Sequence, residues 1–146
     1  MKKIILVGTN EGSFDYNRNM VFADIKDKEI EIQLHAEMVF KAGTDNVLIR
    51  MFVRYMQNKE QIISYDVSLG FKVIDWQILI KDMKDEEILK TEEVFRMIDV
   101  TVGFLRGSLS LQERTTPFKK AFLPLVDDIN ALIKDVSIIK LDDTMS

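Results

Sequence analysis

In residues 29–40, EIEIQLHAEMVF, apolar and polar residues alternate up to Met38: Ile30, Ile32, Leu34, Ala36, Met38 and Phe40 fall on one side, and Glu29, Glu31, Gln33, His35 and Glu37 on the other. A repeat of two is that of a strand, so this stretch reads as a half-buried strand with one wet face. Residues 42–46 (AGTDN) carry turn chemistry, after which Val47, Ile49, Met51, Val53 and Tyr55 resume the alternation opposite Arg50 and Arg54. The QNKE stretch marks a second reversal. Ile63, Tyr65, Val67, Leu69, Phe71 and Val73 then define a third long strand. With the apolar run at residues 4–7, these segments predict a four-stranded antiparallel sheet.

Beyond Trp76 the repeat changes. Residues 81–90 are charged and read as a short helix or a lid, and Thr91 is placed to cap a longer helix behind it. From Glu92, the apolar residues Val94, Phe95, Ile98, Val102, Leu105 and Leu109 recur in steps of three and four, and Glu92 and Glu93 occupy the first turn, where the helix dipole favours acids. Gly103 and Gly107 interrupt this long helix. A glycine costs about 1 kcal/mol inside a helix, so a pair four apart points to close approach by another backbone. Pro117 and Pro124 bracket a loop, and Asp127 or Asp128 is placed to cap a short last helix ending near Lys134. Strands first and helices afterwards give the α+β class, read as a single domain over residues 1–146.

The opening MKKIILVGTNEGSFDY places Gly8 and Gly12 behind a buried-looking run, as in many nucleotide-binding domains. A phosphate-cradling loop also needs a helix starting at the glycines. Residues 13–19 have no helical repeat, the third glycine is missing, and no βαβ alternation appears later in the chain, so a nucleotide loop is not expected.

Composition narrows the chemistry. With no Cys, disulfides, thiolate metal sites and Cys nucleophiles are excluded. A net charge of −4 without a basic block disfavours nucleic acid and favours neutral or basic partners. The N-terminal apolar run is far too short for a signal peptide or a membrane span, which points to the cytoplasm. His35, the only histidine, lies among acids on the wet face of its strand without a second ligand or nucleophile in view, and reads as solvent-exposed. The acid run DMKDEEILKTEE lacks the spacing of a calcium loop and reads as a solvated face. Tyr55, Tyr65 and Trp76 read as packing or capping residues at the sheet edges. Neither an enzyme nor a cofactor is expected.

The unexplained feature is apolar residues where loops should be. Met20, Val21 and Phe22 lie between the first two strands, and Phe118, Phe122, Leu123, Leu125 and Val126 flank the prolines. Loops run over the surface and stay polar, so these either fold back over the core, are covered by another subunit, or line a groove for apolar segments. Eight methionines suit all three.

The order of these features resembles the SecB-type protein-export chaperones from about Gly8 to Leu132. The first strand of that family ends in an acid-x-x-Phe-acid pattern, as in Glu11-Gly-Ser-Phe14-Asp15, and is succeeded by a crossover loop with a Val-Phe pair, as in Val21-Phe22. Three alternating strands come next, the last ending like VSLGFKV, and the long helix closes with an Arg-Gly, as in FLRG, before a Pro-containing segment. The family's crossover-loop tryptophan has no counterpart; Ile25 stands nearest.

The resemblance implies an ATP-independent holdase that keeps unfolded polypeptides in apolar grooves for export, with Val21, Phe22, Ile25, Phe118 and Phe122 lining the grooves. It implies a homodimer or homotetramer with Gly103 and Gly107 at helix contacts, and Glu11, Asp15 and Asp66 as an acidic docking patch for the translocase motor SecA. Two alternatives stand beside general export: a dedicated chaperone of one toxin–antitoxin or other single partner, and a non-enzymatic adaptor.

Overall fold

The computed structural model describes residues 1–19, 30–113, 132–133 and 135–141. Strands β1 (Ile4–Tyr16), β2 (Ile30–Lys41), β3 (Asn46–Gln57) and β4 (Glu60–Val73) precede helices α1 (Trp76–Ile80), α2 (Asp85–Leu89) and α3 (Glu92–Glu113), and β5 (Ser137–Leu141) comes last. The strands form one sheet in the order β1-β4-β3-β2-β5. The first four pair antiparallel, as their alternation predicts, whereas β5 adds to β2 in parallel. The expectation of a purely antiparallel four-stranded sheet is corrected to a mixed sheet of five. Most of the expected last helix lies outside the described residues; Leu132 and Ile133 are helical.

β1 runs nine residues past the apolar stretch 4–7, through both glycines to Tyr16. Its pattern fades because it is bulged twice. Val7 is inserted between the Leu6–Phe71 and Gly8–Gly70 pairs, and Gly12 and Ser13 stand together opposite Asp66 between the Glu11–Val67 and Phe14–Tyr65 pairs. Each inserted residue inverts the alternation, so no single repeat survives along the strand.

The β3–β4 hairpin closes through Asn58 and Lys59, with φ of 50° and 65°, between the paired Gln57 and Glu60. Two successive left-handed residues make the tight turn whose twist matches that of the strands.

The inner face of the sheet carries Met38, Ile49, Met51, Tyr55, Ile63, Leu69 and Phe71, all buried against Val94, Met97, Ile98, Val102, Leu105 and Leu109 of α3. Tyr55, Tyr65 and Trp76 lie in this interior rather than capping the sheet edges, and Trp76 meets Phe40 edge-on at 5.5 Å. The expected cap is present: the Val94 N–H donates to Thr91 Oγ1 at 3.4 Å. Phe95 is the one expected core position of α3 that faces outward.

Candidate interaction surface

The outer face of the sheet is built from the alternate residues of the same strands, so strand pairing places its side chains in rows. One row runs Glu37, Arg50, Ser68 and Asn10; the next His35, Phe52 and Asp66; a third Gln33, Arg54, Ser64 and Asp15. Phe52 stands near the middle, 38% exposed, with the His35 ring stacked on it at 6.2 Å and 23°. A groove of about 630 Å³ lies here, with Phe52, His35, Glu37, Arg54, Ser64 and Asp66 in its lining. Glu37 and Arg50 bring both charge signs to this face, their side chains 3.9 Å apart, and the His35 ring lies 4.0 Å from Glu37.

Of the three acids expected to form one docking patch, Asp15 and Asp66 share this face and Glu11 does not. Glu11 pairs with Val67 and points to the inner side, where the Tyr65 hydroxyl donates to its Oε1 at 2.8 Å. Burial, then the bond to Glu11, pushes ionisation of that hydroxyl above the ordinary tyrosine range. Asp66 accepts from the Ser13 N–H at 2.9 Å, and Asp15 from Arg18 at 2.9 Å. The bulge explains the separation. By admitting one extra residue between Glu11 and Phe14, it returns Phe14 to the inner face and leaves Asp15 outside.

A second groove, of about 480 Å³, opens between the start of β1 and α3, with Leu6, Phe71 and Val100 in its wall and Lys3 and Arg96 at its rim. Further along α3, Gly103 and Gly107 are exposed, and among the described residues a methyl group at either would meet nothing within 4 Å. Among the described residues, nothing makes the close approach expected at this pair. Leu111, near the end of the helix, is 61% exposed.

The five residues expected to hold clients, Val21, Phe22, Ile25, Phe118 and Phe122, lie outside the described residues. His35 is exposed, as its place among acids suggests. Phe52 is legible in the sequence only as an apolar residue out of step, flanked by Met51 and Val53 and standing between the outward-facing Arg50 and Arg54. Among the described residues, no three His, Asp or Glu side chains converge as a metal site, and no helix is long and apolar enough to cross a membrane.

No protein-family model matches the sequence, and no curated protein does. The likeness to the SecB-type chaperones therefore rests on the order and spacing of the motifs.

Proposed function

We propose that this protein is an ATP-independent holdase that retains unfolded polypeptide segments on its surface before export. The observation that carries the reading is the open outer-face groove, lined by the exposed aromatic Phe52 and by side chains of both charge signs. Such a surface takes apolar side chains without demanding one sequence, because the lining can meet either charge on the neighbouring part of the segment. The order of four antiparallel strands and then a long helix supports the same reading through the resemblance.

Self-association belongs to this proposal, with the outward side of α3 around Gly103, Gly107 and Leu111 as the contact. So does docking of a basic motor tail at Asp15 and Asp66, the two acids that share a face. The deciding experiment is suppression of light scattering by several unrelated, chemically unfolded proteins without nucleotide. Protection of all of them supports a general holdase, protection of one alone supports a dedicated chaperone, and protection of none overturns the proposal.

A further inference from the structure

The β5 strand is held differently from the other described strands. It is five residues long, it pairs in parallel where they pair antiparallel, and none of its side chains is fully buried. Ile138, beside Met38, packs half-buried against the core, while Ile139, beside Val39, is 37% exposed on the outer face. Beyond the backbone ladder, the Ala42 N–H donates to the Leu141 carbonyl at 2.9 Å. Lys140 Nζ lies 2.7 Å from Asp85 of α2, both side chains more than half exposed. Parallel ladders are slightly weaker per residue than antiparallel ones, and an exposed ion pair adds little.

The chain just before β5 is secured in a different way. Leu132, Ile133 and Val136 are buried in the core, and the N–H groups of Asp135 and Val136 donate back to the carbonyls of Leu132 and Ile133. β5 can therefore leave the sheet while its anchor stays in place. The strand it covers is of the opposite character, since Met38, Val39 and Phe40 are buried. Lifting β5 would bare a firmly held ladder of N–H and C=O groups from Glu37 to Lys41, the kind of edge that captures an extended chain.

We infer that β5 is a displaceable internal ligand and that the β2 edge from Glu37 to Lys41 is a binding site for an extended peptide segment of apolar-x-basic pattern. The pattern comes from what β5 itself places there: an apolar side chain at the position of Ile138, beside Met38, and a cation two residues later at that of Lys140, facing Asp85. Backbone pairing supplies the binding and these two places supply the selectivity. The site extends the holdase reading to a second surface, but it stands on the geometry of β5 alone.

The absence of cysteine permits a clean test. Val39 and Ile139 are register partners. Adjacent strands lie about 4.8 Å apart, within the span of a disulfide. A Val39→Cys, Ile139→Cys protein therefore locks β5 when oxidised and frees it when reduced. The probe is a fluorescent peptide of the sequence DVSIIKL, measured by anisotropy. Binding to the reduced protein, its loss on oxidation, and a preference for Lys over Glu at the sixth position that reverses in Asp85→Lys are the expected results. Equal binding to both redox forms, or none to the reduced form, would overturn the inference. A permanently unfolded polypeptide is titrated in parallel; if neither form retains it while the peptide binding responds to the lock, the holdase proposal fails and the strand site stands.

Discussion

The Tyr65 hydroxyl donates to Glu11 Oε1 on one side of the sheet, while the next residue, Asp66, accepts from the backbone of Ser13 on the other. The bulge in β1 is thus clamped from both faces by consecutive residues of β4. Removing the inner clamp with Tyr65→Phe should cost about 1 kcal/mol, the usual worth of one such hydrogen bond at a partly exposed carboxylate. The pH dependence has a definite sign. Because the hydroxyl ionises at higher pH folded than its ordinary value of 10.0, its contribution is complete below that value and is lost as pH climbs above it. Urea midpoints should therefore fall in alkali more steeply for the wild type than for Tyr65→Phe, and parallel curves would count against the clamp.

Gly12 is required by a neighbour rather than by its backbone angles. A Cβ at this position would overlap the Asp66 carboxylate. Gly12→Ala should swing that side chain away and forfeit the Ser13 bond, at a cost of about 1–2 kcal/mol. In an Asp66→Ala background the same change should cost little, a coupling that a double-mutant cycle reads directly.

Lys59 occupies a left-handed position that suits glycine better. Lys59→Gly, giving an Asn-Gly turn, should stabilise the hairpin by up to about 1 kcal/mol, seen as a raised melting temperature.

Exposed glycines on α3 allow stability and assembly to be separated. Gly103→Ala and Gly107→Ala should each stabilise the isolated chain by about 0.5–1 kcal/mol, because Ala is the better helix former and nothing among the described residues obstructs its methyl group. If the pair is a helix contact between copies, the same variants should weaken self-association in analytical ultracentrifugation. Unchanged association would remove the glycines from the interface.

Phe52→Ala tests the groove. A fully buried Phe would cost about 3–5 kcal/mol on truncation, and Phe52 is too exposed for that. The expected outcome is a small loss of thermal stability with a clear loss of aggregation suppression, and the reverse would make Phe52 structural.

An element is legible in sequence to the extent that its signal repeats. β2, β3 and β4 each show five or more alternate apolar residues, so their inner faces, their turns and the α3 core stripe can all be read from the chain. β1 is legible only at Ile4 to Val7 because two bulges reverse its phase, and that same reversal sends Glu11 away from Asp15 and Asp66. β5 is too short to display a repeat, and its partner β2 lies about a hundred residues earlier, a separation local pattern cannot bridge. Phe52 escapes a sequence reading because it stands between two arginines on the wet face, where its neighbours announce a polar position.

The order β1-β4-β3-β2-β5 puts the two sequence-distant strands at the two edges and the continuous meander at the centre. Its consequence is kinetic. The β2–β3 and β3–β4 hairpins close over short loops, whereas β1 must find β4, and β5 must find β2, after long excursions of chain whose closure is entropically slow. The meander with α3 packed on it is therefore expected to form the folding nucleus, with the edges recruited afterwards. Truncating Ile49 or Met51 should slow folding, while truncating Ile4 or Ile138 should chiefly speed unfolding, a division visible in the two arms of a chevron plot.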